Sequence, residues 1–421
     1  MHFYQSFTTQ FRGYNRNIKL SFMANILTQI GMGVFMVIYN FYIRNLGMPE
    51  TVNGQIISMA SLATALILVP AGLISDRFGR RKVIFYSIVV SGLILLLRSV
   101  MAVQDSLVFL AFAGGLTMAF SQVSGIPWMA ENSKAEERVN LFSLHFALMT
   151  GANVIGNLLG GFLNDGFSLF LNDVNSIRLT LIIGALIFLI GAFPAAKFQE
   201  KLPAKSDGKA VQPVRKLNWK SNGLKMIFLF AVAQLLIGFG AGLVIPYLNL
   251  YFADRFSAPT SAIGLIISLG QAATALAMII GPQVVKRVGE VRAVVFLQLS
   301  SLPFLLLTAF AHHLWIAALG FLFRQALMNA ANPIQSSLMM EKVDDSVKGL
   351  GNSINQMVFN LGWALMGPIS MGVVSEYGPY WGYAYVFCIT AVLYLIGSTY
   401  FLLVFRGMIH PGKKTVSAKA V

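Results

Sequence analysis

Gly72-Leu-Ile-Ser-Asp76-Arg77-Phe-Gly79-Arg80-Arg81-Lys82 separates two apolar runs, Gly54 to Ser75 and Val83 to Val103. Each run is long enough to cross ~30 Å of hydrocarbon as a helix. Between them stand four cations, one acid and a turn glycine, too few residues for a folded domain. The link is therefore a tight polar hairpin at a membrane face. Its density of Lys and Arg places that face in the cytoplasm, because positive loops resist translocation.

The whole chain has the composition of a membrane protein. Of 421 residues, 56% are hydrophobic and 11% charged, well outside the range of soluble globular domains. The excess of 31 Lys and Arg over 16 Asp and Glu does not indicate nucleic acid, since the cations sit in loops between spans and form no patch or stripe. Cys388 is the only cysteine, which excludes an intramolecular disulfide framework. Met1 to Lys19 is polar and aromatic, so no cleavable signal peptide is expected.

Apolar runs bounded by charge or by Gly/Pro turns predict an all-α membrane protein of twelve spans. They lie near 19–43, 53–75, 83–103, 107–130, 139–163, 178–197, 225–252, 261–285, 292–311, 314–340, 349–375 and 380–405. With both termini cytoplasmic, all but five of the 31 Lys and Arg fall on cytoplasmic segments. Three exceptions, Arg44, Arg178 and Arg255, are in external loops; Arg98 and Arg324 lie inside spans. That asymmetry sets the orientation. The 197–224 connection carries Pro203, Gly208, Pro213 and many cations, and reads as a flexible linker on the anionic inner surface. It separates an N-terminal six-helix bundle (1–196) from a C-terminal one (225–406), followed by a cytoplasmic tail (407–421).

The two halves repeat. Gly54-Gln-Ile-Ile-Ser58 returns as Gly264-Leu-Ile-Ile-Ser268, and Ala63-Thr-Ala-Leu66 as Ala273-Thr-Ala-Leu276, both displaced by 210 residues. The same displacement sets Gly79 against Gly289 and Glu131 against Glu341. In the second copy Lys286 replaces the acid of the hairpin.

Gly-x-Leu-x-Asp-Arg-x-Gly-Arg-Arg-Lys between the second and third spans resembles the signature loop of the major facilitator superfamily of secondary transporters. That resemblance implies two pseudo-symmetric bundles with a substrate site near the midplane between them. It also implies that Asp76 holds one conformational state by contacting the other half near Lys348 to Gly351, where free helix N–H groups attract a carboxylate. Arg77, Gly79 and Arg80 complete this gate, with Glu131 as the partner of Arg77 or Arg80. Gly151-x4-Gly156-Asn157-x2-Gly160-Gly161 in span 5 resembles the exporter-associated Gly-Pro-x-x-Gly-Gly pattern, with Asn157 where Pro is expected. Small residues at this spacing also serve close helix packing.

Polar groups within spans supply the site candidates. Arg324 lies roughly 15 Å into span 10 at ~1.5 Å per residue, and a central Arg costs ~2.5–3.5 kcal/mol on insertion scales. No acid stands at comparable depth. Arg324 therefore reads either as a contact for an anionic substrate group or as a structural Arg capped by carbonyls and by Gln325, Asn329 or Asn332. Arg98 lies near an outer span end, where it can snorkel. His145, about two turns into span 5, reads either as the proton carrier or as a hydrogen-bonded structural His. The family resemblance assigns spans 1, 4, 7 and 10 to the cavity wall, which selects Gln29, Gln122, Gln234 and Arg324, with Asn25, Trp128, Tyr247 and Asn329 nearby.

No catalytic motif, metal-ligand cluster or phosphate-cradling loop is present, so no enzymatic activity, metal or cofactor is expected. The expected partners are a small-molecule substrate, a coupling proton and the lipid bilayer of a bacterial cytoplasmic membrane; the protein is expected to be monomeric. Proton-linked efflux of amphipathic compounds is the leading function. Uptake or exchange of an organic anion on Arg324, and a non-transporting receptor or scaffold, are the alternatives.

Overall fold

The computed structural model describes residues 13–134, 137–199, 222–343 and 348–408. Most of the 197–224 linker and of the 407–421 tail lies outside the described residues. The described residues are almost entirely helical, as a bilayer demands of chains that must satisfy every backbone polar group internally. The helices are α1 (Arg16–Asn45), α2 (Glu50–Phe78), α3 (Arg80–Val100), α4 (Gln104–Glu131), α5 (Arg138–Ser168) and α6 (Asp173–Ile190, extended by Ala192–Ala196). In the second half α7 (Asn222–Val244) continues through one 3-10 turn, Ile245–Tyr247, into Leu248–Phe256. It is followed by α8 (Thr260–Val288), α9 (Glu290–Phe310) and α10 (Leu314–Lys342). The last run, Lys348–Phe405, breaks at Gly378 (φ 74°) ahead of Pro379, which makes it two helices, α11 (348–377) and α12 (379–405).

All twelve expected spans are therefore helices. Most overrun their apolar runs by up to about a turn, since backbone bonding continues into polar residues at the interface. The sequence repeat reappears in the helix boundaries. Helices start at 50 and 260, 80 and 290, 104 and 314, and 138 and 348, a constant displacement of 210 residues. Gly79 and Gly289 both adopt left-handed φ, 90° and 83°, a conformation that L side chains resist. Each reverses the chain in one residue between two helices, so these glycines build the tight hairpin.

The chain forms two compact units. One comprises Met1–Leu217 with Pro246–Ser268, the other Asn218–Ile245 with Leu269–Val421. The C-terminal end of α7 and the N-terminal end of α8 thus belong with the first six spans. In the first unit α1 is central and packs along α5 and α6. Close approach there depends on absent side chains: a Cβ at Gly156 would fall on the Ile30 carbonyl, one at Gly33 on the Asn153 carbonyl, and one at Gly160 on Val34. In the second unit α7 packs on the Lys348–Phe405 run, and Gly240 admits the Tyr394 ring.

Candidate functional site

Three helices of the second unit enclose a cavity of about 260 Å³. α7 contributes Phe230, Ala233 and Gln234; α10 contributes Asn332, Gln335, Ser336 and Met339; α11 contributes Asn352, Asn355, Gln356 and Phe359. On each helix these positions fall at i, i+3, i+4 and, on α10 and α11, i+7, the spacing of one helical face. Six of the eleven lining residues are amides and none carries a charge. Amides in hydrocarbon must find partners, so the polar stripes of α10 and α11, with Gln234 of α7, form a polar cavity wall.

Its polar groups are not all satisfied from within. Asn355 directs its amide nitrogen at Met339 Sδ (2.8 Å), a weak acceptor, and its buried Oδ1 has no partner. Flipping the amide exchanges the two roles and leaves the same deficit. Asn332 donates to Asn329 Oδ1 (3.4 Å), which ties Asn329 to the rim.

The residues expected on the cavity wall separate into groups. Gln234 lines the pocket and Asn329 touches it through Asn332. Arg324 does not line it. The guanidinium is 2% exposed, donates to Tyr394 Oη (2.6 Å) and to Gln325 Oε1 (3.3 Å), and lies 5.4 Å from the Tyr394 ring centre. A phenol oxygen, an amide and a π-face together meet much of the charge's demand in a dry setting. Trp128 is buried too: its indole donates to Ser21 Oγ (3.0 Å) and its ring stacks on Phe198. Tyr247 is 1% exposed in the 3-10 turn of α7. Asn25 and Gln29 on α1 and the exposed Gln122 on α4 belong to the first unit and do not line this pocket. Asn332, Gln335, Ser336, Asn352, Asn355 and Gln356 are thus additional candidates. Their helical spacing is written in the sequence, but which stripe faces a cavity is decided by packing.

In the hairpin Arg80 pairs with Asp76 (2.7 Å) and with Glu131 (2.7 Å). Both carboxylates are more than half exposed, so each pair contributes little to stability, ~0–1 kcal/mol. Arg77 is exposed. His145 is buried between Phe22 and Phe146 with Nδ1 unpartnered. Of the four span 5 glycines expected in packing, Gly156 and Gly160 face α1 and Gly161 faces Thr260 and Ser261. Gly151 faces open space and is no packing residue. Asn157, where the exporter pattern has Pro, is fully buried, donates to Asn153 Oδ1 (3.2 Å) and brings its carbonyl against Gly264.

In the first unit, at the C-terminal end of α1, Arg44 bridges Glu50 (2.6 Å) and Asp254 (2.6 Å). Asp165 accepts from Thr260 Oγ1 (2.5 Å) and from the Ser261 N–H (2.8 Å), capping the N-terminus of α8. Among the described residues no cluster of three His, Cys, Asp or Glu could hold a metal ion.

Known proteins agree with this architecture. The family model of the Major Facilitator Superfamily matches residues 21–233 and 230–420. The chain is 25% identical over 403 residues to "Multidrug resistance protein MdtG" of Serratia proteamaculans, covering 92% of this chain and 93% of that one. It is 24% identical over 332 residues to "Tetracycline resistance protein, class C" of Escherichia coli, covering 77% and 81%. Among solved structures, a bacterial homolog of the human lysosomal transporter Spinster, in an inward-facing and unoccupied conformation, superposes with a TM-score of 0.77 at 14% identity over 92% of this chain and 96% of that one. The nucleoside transporter NupG does so with 0.75 at 14% identity over 93% and 99%. Matched along almost its whole length by the family model, and built of two repeats that each carry a glycine-turned basic hairpin, the chain belongs to the major facilitator superfamily: it is a multi-pass membrane protein and a secondary transporter, not an enzyme.

Proposed function

We propose that the protein exports small amphipathic compounds across the bacterial cytoplasmic membrane, using the amide-lined cavity of the second unit as part of its substrate site. The cavity carries this reading: two facing polar stripes and Gln234, with an unsatisfied buried amide, are costly unless a ligand or water uses them. Export as the direction is supported by near full-length similarity to proteins named for multidrug and tetracycline resistance. The coupling proton is assigned to His145, whose buried Nδ1 lacks a partner. The hairpin of Asp76, Arg77, Gly79 and Arg80, with Glu131, is assigned to gating. Exchange of an organic anion on Arg324 is the second reading: it draws on the unpartnered buried Nε, and against it stand the guanidinium's hydrogen bonds to Tyr394 and Gln325 and the absence of Arg324 from the cavity lining.

The test uses everted membrane vesicles from a host expressing the full chain, with a panel of amphipathic antibiotics of each charge type supplied in the external medium. Export gives uptake into the vesicles that depends on an imposed pH gradient and collapses with nigericin. Uptake in right-side-out vesicles, with none in everted ones, would reverse the direction; insensitivity to nigericin would remove the proton.

A further inference from the structure

We infer that the cavity between α7, α10 and α11 selects an uncharged, hydrogen-bonding solute with an apolar or aromatic face, and discriminates against both cations and anions. This deepens the proposed function and rests on the cavity being a substrate site.

The argument is one of complementary chemistry. A carboxylate would be needed to offset the dehydration of a cation, and none lines the cavity. The π-faces of Phe230 and Phe359 return only a fraction of the hydration that a cation surrenders. For an anion the nearest cation on α10 is Lys342, three residues past Met339, and its ammonium is already paired with Glu341 (2.7 Å); Arg324 lies eight residues before Asn332, roughly 12 Å away along the helix at ~1.5 Å per residue. Its guanidinium is buried on Tyr394 and Gln325. Amides, in contrast, present a donor and an acceptor each and exchange water for ligand amides, hydroxyls or carbonyls at little net loss. Asn355 adds a specific requirement. One end of its amide is buried and unpartnered, so a ligand polar group that reaches it fills a deficit and displaces no existing hydrogen bond. Phe230, Phe359 and Met339 supply the apolar wall opposite these groups.

The experiment uses purified full-length protein and three probes on one scaffold: neutral N-acetylphenylalaninamide, anionic N-acetylphenylalanine and cationic phenylalaninamide. Binding is followed by ligand-dependent thermal stabilisation in detergent, and transport by efflux from loaded proteoliposomes. The neutral probe is expected to bind at least about tenfold more tightly than either charged one. Gln234→Glu and, independently, Asn355→Asp are expected to shift preference toward the cationic probe by about tenfold, while Arg324→Gln leaves the order unchanged. Equal or tighter binding of a charged probe by the wild type, or no binding of the neutral one, overturns the proposal. So does an unchanged order in both acidic variants when each melts as cooperatively as the wild type. The two readings fail separately: binding in the expected order without efflux refutes transport by this site and leaves the selectivity standing. Efflux of charged probes in preference to the neutral one refutes the selectivity and leaves transport standing.

Discussion

Asp165→Asn tests how the first unit holds the start of α8. The wild-type carboxylate accepts two hydrogen bonds, from Thr260 Oγ1 (2.5 Å) and the Ser261 N–H (2.8 Å), at a helix N-terminus. Asn keeps the shape and one acceptor oxygen but removes the charge. A hydrogen bond to a charged group contributes ~1.5–3 kcal/mol against ~0.5–1.5 for a neutral one, so two bonds lose about 2 kcal/mol. The helix dipole adds ~0.3–1 kcal/mol. Asp165 is half-buried, and solvent screening reduces the sum by about half. The remaining 1–1.5 kcal/mol corresponds to roughly a tenfold change in an equilibrium constant. That equilibrium is opening of the α5–α8 seam, in which Gly161 meets Thr260 and Ser261, Gly264 meets Asn157, and Ser268 donates to the Val154 carbonyl (3.1 Å). The unit boundary after Ser268 divides α8. Ser268 is 2% exposed. A Ser268→Cys reporter in a Cys388→Ser background should react with a water-soluble maleimide only from the opened state. Asp165→Asn is expected to raise the labelling rate about tenfold at unchanged expression. A rate within twofold of the parent would refute the assignment of Asp165 as the holding group.

The other expectations concern packing, the buried cation, coupling and the gate. Gly156→Val drives a side chain onto the Ile30 carbonyl and should cost ~1–3 kcal/mol or more, seen as loss of a monodisperse peak in fluorescence-detected chromatography; Gly151→Ala, in open space, should leave the profile unchanged. Arg324→Gln strips Tyr394 of its charged donor (2.6 Å) and should lower thermal stability by ~1–3 kcal/mol with ligand affinity within twofold; affinity lost at unchanged stability would return Arg324 to the binding site. His145→Gln should abolish accumulation driven by a pH gradient while counterflow exchange persists, and retained accumulation would remove His145 as carrier. Asp76→Asn should insert normally and speed labelling of a cysteine at Ser336; labelling and transport both unchanged would exclude a gating role.

The membrane architecture was legible in the residues because its determinants are local. A twenty-residue apolar run has few alternatives in lipid, and clustered cations bias which loops stay inside. Gly79 needed no partner to mark a turn, since a Cβ would oppose its left-handed φ of 90°. The copies displaced by 210 residues were likewise readable, and they return as helix starts in the same register.

What a buried polar group touches could not be read this way. Arg324 and Asn355 both look like membrane-depth polar residues in sequence, yet one is sealed on Tyr394, 70 residues away, and the other opens its amide to a cavity. Rotation of each helix about its axis selects which stripe faces inward, and that rotation is set by packing between distant segments, as where Gly240 admits Tyr394 or Gly156 meets Ile30. Burial of apolar segments thus made the spans inevitable from composition alone, whereas the chemistry of the interior waited on side-chain complementarity that exists only once the helices are side by side.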